Sequence, residues 1–169
     1  MWDLAVHDLA ILDALLGALP HNVTATGAAH LPGQRENIAY LTCRYAPNLI
    51  AHLHVNWLSP LKIRRILIGG SVRSVCYDDP DVTVYDTGAV FAARPVEQIT
   101  PAVECRAELL PRDPTEPLHT MAAHFLACVM RHTIPHTDGA SGLRVVRILE
   151  AADRSLRSGG APITISNES

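Results

Sequence analysis

The chain has 169 residues, 48% of them hydrophobic and 18% charged, with a formal net charge of −3. A chain of that length buries roughly 70% of its unfolded surface, so a core forms without staples, and the apolar content excludes a disordered polymer. The acidic balance argues against nucleic acid, whose recognition calls for a strongly basic face.

Residues 1–17 read as a helix ended by Gly17 and Pro20. On a 3.6-residue period Asp3, His7, Ala10, Ala14 and Gly17 fall on one line, and Leu4, Leu9, Ile11, Leu12, Leu15, Leu16 and Leu19 make a broad apolar face. A carboxylate at i and an imidazole at i+4 can hydrogen-bond, which fixes the histidine tautomer as a general base requires. The small residues that follow leave room for another body beside the line. The same spacing also describes a first-turn acid favoured by the helix dipole and an ordinary half-buried histidine. Asp3, Asp8 and Asp13 interrupt the apolar run, and no basic segment precedes it, so it is read neither as a signal peptide nor as a membrane span. A soluble, cytoplasmic chain is the expectation, with no membrane partner.

Residues 22–28, 37–45 and 49–57 follow as strands, the last two joined by the turn Ala46-Pro47-Asn48 into an antiparallel hairpin. In the second arm Leu49, Ala51, Leu53, Val55 and Trp57 face the core, leaving Ile50, His52, His54 and Asn56 on the other side. That second face reads equally as a solvated surface or a subunit interface. Residues 62–70 and 73–77 form another hairpin about Gly69-Gly70-Ser71, and 81–86 a further short strand. Residues 87–112 are rich in Pro, Gly and Ala and read as a long excursion with one strand near 96–100. Asp113-Pro114-Thr115-Glu116 then caps a helix running to about Arg131, with Leu118, Met121, Ala122, Phe125, Leu126 and Val129 as its apolar stripe. Asp138 and Ser141 open a second helix that closes at Gly159-Gly160, and residues 162–165 make a last strand. The order predicts an α+β domain, a mainly antiparallel open sheet with helices packed on one face, as a single unit over 1–169.

No G-x-G-x-x-G run occurs between a strand and a helix, so no dinucleotide-binding motif is present. Cys43, Cys76, Cys105 and Cys128 lie far apart without a C-x-x-C, which suits reduced thiols better than a disulfide frame. Nine histidines raise the question of a metal. His52 and His54 alternate on one face, but no third ligand stands at a recognisable spacing and no metal site is expected.

The pattern Trp2-Asp3-x-x-x-His7-Asp8-Leu9-x-Ile11-Leu12, then Asn56-Trp57-Leu58-Ser59-Pro60-Leu61-Lys62-Ile63-Arg64 and Tyr77-Asp78-Asp79, resembles the C-terminal half of the glucose-fructose oxidoreductase/inositol dehydrogenase/MocA (Gfo/Idh/MocA) family. Glu116-Pro117-Leu118 to His124-Phe125, Asp138-Gly139, and Leu143-Arg144 onward to Ala152 continue the likeness over essentially the whole chain. The Trp-Leu-Ser-Pro-x-Lys-x-Arg run most resembles the branch that oxidises nucleotide-linked sugars.

The resemblance implies a substrate-binding and oligomerisation domain lacking the N-terminal Rossmann domain, which would be supplied in cis or in trans. It also implies NAD or NADP in the parent enzyme, bound mainly by that other domain, with none expected for this chain alone. His7 would be the general base and Asp3 its orienting acid. Trp57, Ser59, Lys62 and Arg64 would bind a sugar or nucleotide-sugar substrate, the cations taking a diphosphate and the indole stacking. A homo-oligomer formed through the open sheet face is implied as well. The family's catalytic Lys belongs to the other half, and the second acid that several members carry is replaced here by Ala10. The competing reading is a non-enzymatic dimerisation or ligand-binding module.

Overall fold

The computed structural model describes residues 2–31, 35–86 and 106–166. The expected α+β class forms, with every strand pair antiparallel and the strands divided between two four-stranded sheets. The chain makes two compact units, Met1–Ser59 with Met121–Ser169, and Pro60–Thr120.

In the first unit, helix α1 (Trp2–Leu16) buries Ala5, Leu9 and Asp13. It ends where Gly17 takes a left-handed φ of 60° and donates its N–H to the Asp13 carbonyl at 2.8 Å. Strands β1 (Asn22–Ala28), β2 (Ile38–Ala46) and β3 (Leu49–Asn56) follow, and β8 (Ile163–Thr164) completes the order β3-β2-β1-β8. Alternation sends Val23, Ala25, Leu41, Cys43, Leu53 and Val55 inward. They form one core with Ala5 and Leu9 of α1 and with Val145, Ile148, Leu149 and Ala152 of α3 (Gly139–Arg157). Burial there pushes the Cys43 thiol up to about 12. Among the described residues Cys43, Cys76 and Cys128 are free thiols.

The α3 helix starts and stops as its sequence predicts. The Asp138 side chain accepts the Ser141 N–H at 2.8 Å. At the other end the N–H groups of Gly159 and Gly160 reach the carbonyls of Leu156 and Ser155, with both glycines left-handed. A Cβ on Gly160 would stand 2.9 Å from Thr26 Cγ2, so this turn also lets the chain pass close over β1. There β8 is too short to cover the edge of β1. Ser155, fully buried, takes over: its hydroxyl accepts the Ala25 N–H at 2.8 Å and donates to the Ala161 carbonyl at 2.7 Å.

Two sequence expectations are corrected in this unit. Trp57 was placed on the core side of its strand, but β3 ends at Asn56 and Trp57 is 60% exposed. The Asn56 side chain accepts the Leu58 N–H at 2.8 Å, an Asx turn that bends the chain off the strand. Helix α2 (Pro117–Arg131) forms, yet Leu118, Met121, Phe125, Leu126 and Val129 of its apolar stripe are exposed, and Cys128 is its one buried residue.

The second unit holds β4 (Arg65–Gly69), β5 (Arg73–Asp78), β6 (Asp81–Asp86) and β7 (Arg106–Leu109) as a simple meander. β4 begins three residues later than its sequence suggests. The strand expected at 96–100 lies outside the described residues. Among the described residues no helix is long and apolar enough to cross a membrane, and no group of three or more His, Cys, Asp or Glu could hold a metal.

Candidate active site

The proposed catalytic line lies on the outer side of α1, because Ala5, Leu9 and Asp13 occupy the inner side. Asp3, His7, Ala10 and Ala14 are all exposed. Among the described residues no hydrogen bond joins Asp3 to His7, so the carboxylate stands one turn from the imidazole as a charged neighbour.

What fixes this face outward is a pair contributed from opposite ends of the chain. Asp13, almost fully buried, receives Arg144 Nε at 2.5 Å, Arg144 Nη2 at 2.8 Å and the Ser141 hydroxyl at 2.6 Å. The Arg144 guanidinium holds the carboxyl below its ordinary value against the opposing effect of burial, with Ser141 helping. A buried carboxylate with three donors cannot rotate out cheaply, so α1 keeps one face toward α3 and His7 keeps the other.

Trp57 and Ser59 follow β3 and are exposed in the first unit. Lys62 and Arg64 belong to the second unit and are also exposed. The Arg64 carbonyl accepts the Asp79 N–H at 3.0 Å, and the Tyr77 hydroxyl donates to Asp79 Oδ1 at 3.0 Å. Partial burial, then the Asp79 carboxylate, raise the Tyr77 phenol above its usual range. The next residue, Arg65, is the one paired to a carboxylate, that of Asp78. The six candidates therefore fall into an acid–imidazole pair on α1, an indole and hydroxyl after β3, and two cations ahead of β4.

Two clusters lie apart from the six candidates, and of these the sequence showed only His52 and His54 sharing a face. On the open face of the first sheet Tyr40 stacks on His54, ring centroids 4.6 Å apart and 7° from parallel, with His52 at 6.3 Å. Thr42 Oγ1 lies 3.0 Å from His52 Nδ1. Near the end of α2, His124 and His136 stack at 4.8 Å, the His136 N–H donates to His124 Nε2 at 3.3 Å, and Cys128 Sγ lies 3.6 Å from that nitrogen. The i,i+4 spacing of His124 and Cys128 was the available sign.

Nothing among the described residues resembles a dinucleotide cradle, since that needs parallel strands with a helix start between them and all pairs here are antiparallel.

The fold is an antiparallel α+β domain that carries the six candidates exposed to solvent. Residues 1–76, which include all six candidates, match the GFO/IDH/MocA C-terminal domain, and the Gfo/Idh/MocA resemblance is borne out. The structure is similar to UDP-N-acetylglucosamine 3-dehydrogenase GnnA from Acidithiobacillus ferrooxidans, with 21% identity and a TM-score of 0.75 over 90% of this chain and 46% of that one. It is similar to the WlbA dehydrogenase from Bordetella pertussis, solved with NADH and UDP-GlcNAcA, at 20% identity and TM-score 0.58 over 97% of this chain and 44% of that one. An oxidoreductase from Agrobacterium radiobacter in complex with NAD+, L-tartaric acid and magnesium aligns at 16% identity and TM-score 0.72, covering 95% and 47%. The chain thus spans less than half the length of each of these three. No curated protein matches it.

Proposed function

We propose that this chain is the substrate-side half of an NAD(P)-dependent oxidoreductase acting on a sugar or nucleotide-sugar hydroxyl. The observation that carries the reading is His7, exposed on a line of small residues within the segment that matches the family. His7 takes the hydroxyl proton of the substrate as general base, and the Asp3 carboxylate one turn away stabilises the imidazolium that forms. Ala10 and Ala14 leave space beside the imidazole for a sugar ring. Trp57 and Ser59 offer stacking and a hydroxyl, and Lys62 and Arg64 offer positive charge to a diphosphate. A nicotinamide, whose role is to accept the hydride, has no seat in the described residues and belongs to a Rossmann domain acting in cis or in trans. The same reading gives a homo-oligomer assembled through the open sheet face.

The test supplies the dinucleotide-binding half and follows nicotinamide reduction with UDP-linked and free sugars. His7→Ala lowers kcat by about 10² to 10⁴, and Asp3→Asn lowers it by a smaller factor. Full rate in His7→Ala removes the base assignment. A chain that binds a sugar nucleotide yet shows no turnover with any supplied half is instead a binding module.

A further inference from the structure

The sheet of the first unit ends in the row Ala28, Ile38, Asn56, and Asn37 stands just beyond it. Its backbone ties that end together, because its N–H donates to the Ala28 carbonyl at 3.0 Å and its carbonyl accepts the Trp57 N–H at 2.8 Å. Its side chain holds the loop that leaves β1. Oδ1 accepts the His30 backbone N–H at 3.1 Å and lies 3.0 Å from His30 Nδ1. A backbone N–H only donates, so the amide must turn its oxygen that way, and in the neutral imidazole Nδ1 then carries the proton. His30 Nε2, on an exposed side chain, is left as an acceptor. The same turn leaves Asn37 Nδ2 buried with no partner. Structures seldom keep such a group, and here it accompanies an oxygen engaged twice. The Trp57 indole, held at its backbone by the same Asn37, is 60% exposed.

We propose that His30 and Trp57 form a subsite for the nucleoside end of a nucleotide-sugar substrate, and that Asn37 is the residue that positions both. The base stacks on the indole, and an N–H or hydroxyl of the nucleoside donates to His30 Nε2. The proposal rests on the nucleotide-sugar reading above and adds where the part of the substrate remote from the reacting carbon is held.

The layout of the unit brings the proposed base and this subsite to one end. Near its close, α1 is tied through Asp13 to Ser141 and Arg144 at the start of α3, and the turn after α3 passes over Thr26 in the second half of β1. The two helices therefore run in opposite directions, and Asp3 and His7 lie toward the end of the sheet where β1 finishes. They stand on the outer side of α1, whose inner side joins the core over the sheet. A helix diameter of about 10 Å thus separates their line from the layer that carries His30 and Trp57. The group held at the sheet end is accordingly not the ring being oxidised but a distant part of an extended substrate. An acceptor beside an aromatic face offers nothing to a phosphate, which needs donors, and suits a planar ring with a donor on its edge.

UMP and glucose 1-phosphate, the two halves of UDP-glucose, separate the possibilities when titrated into the purified chain. His30→Ala is expected to weaken UMP and UDP-glucose by about tenfold, the worth of one good hydrogen bond, and to leave glucose 1-phosphate unchanged. Its circular dichroism spectrum should match the wild type, since the side chain is exposed. UMP is expected to quench the Trp57 emission in a Trp2→Phe background, where Trp57 is the remaining indole. Asn37→Leu is expected to weaken UMP likewise, and imidazole nitrogen NMR of that variant to show His30 no longer held in the Nδ1–H tautomer. An unchanged UMP affinity in His30→Ala, or a loss confined to glucose 1-phosphate, overturns the nucleoside subsite while leaving the substrate-side reading intact. A wild-type chain that binds neither UMP nor UDP-glucose also overturns the subsite. The function reading is then decided separately, by His7-dependent turnover of a free sugar with the dinucleotide-binding half supplied.

Discussion

Asp13 shows how a residue can look incidental in the sequence and still organise the molecule. In the sequence it is one of three acids interrupting an apolar run; in the structure it is the buried acceptor of Arg144 and Ser141. No local pattern announces partners about 130 residues away. Its carboxyl lies below the ordinary value when folded, so the stabilisation is fully present above the unfolded carboxylate value of about 3.9. It is lost as pH falls through the lower folded value. Urea midpoints should therefore drop below about pH 4, and Asp13→Asn should remove that part of the fall. At neutral pH Asp13→Ala should cost about 2–4 kcal/mol, since Arg144 is left without its partner but is itself partly exposed. Tyr45 predicts the opposite sign. It is buried, its hydroxyl has no hydrogen-bond partner, and burial raises its phenol well above the usual range. Tyr45→Phe should leave stability unchanged or raise it by up to about 1 kcal/mol in a urea melt.

At the scale of elements, capping residues and alternation located most of the fold. The Asp138 cap, the Gly17 stop and the double glycine after α3 all stand where turn chemistry puts them. The pairing of Tyr40 with His54 was hidden by parity. A two-residue turn pairs Ala46 with Leu49, an odd sum that would set inward residues of β2 opposite outward residues of β3. The irregularity between Arg44 and Ala46 shifts the register by one, so Leu41 meets Leu53 inside and Tyr40 meets His54 outside. Had the alternation of both arms been imposed together, the bulge would have followed. The α2 stripe has a separate consequence, because its side chains contribute little to the core. Phe125→Ser with Val129→Ser should change the unfolding free energy by about 0.5 kcal/mol or less while lowering the binding of a hydrophobic dye. A large loss of stability would mean that these side chains are packed after all.

For the whole molecule, the α+β class and the order of elements were readable because each segment carries its own period and stops. The division into two sheets was not, since a meander of short strands such as β4 to β7 looks the same in sequence whether it extends a neighbouring sheet or stands apart. The site was readable only in part. Spacing put Asp3 and His7 on one line and the exposed side of α1 keeps them there, but spacing says nothing of which unit carries Lys62 and Arg64. The first unit is stitched from both ends of the polypeptide, with 60–120 inserted between them. On the ribosome, the inner face of its sheet therefore stays wet until Ile148, Leu149 and Ala152 have emerged to roof it. The inserted meander has all its strand partners much sooner. The segment bearing the proposed imidazole base thus emerges before the inserted meander and settles after it.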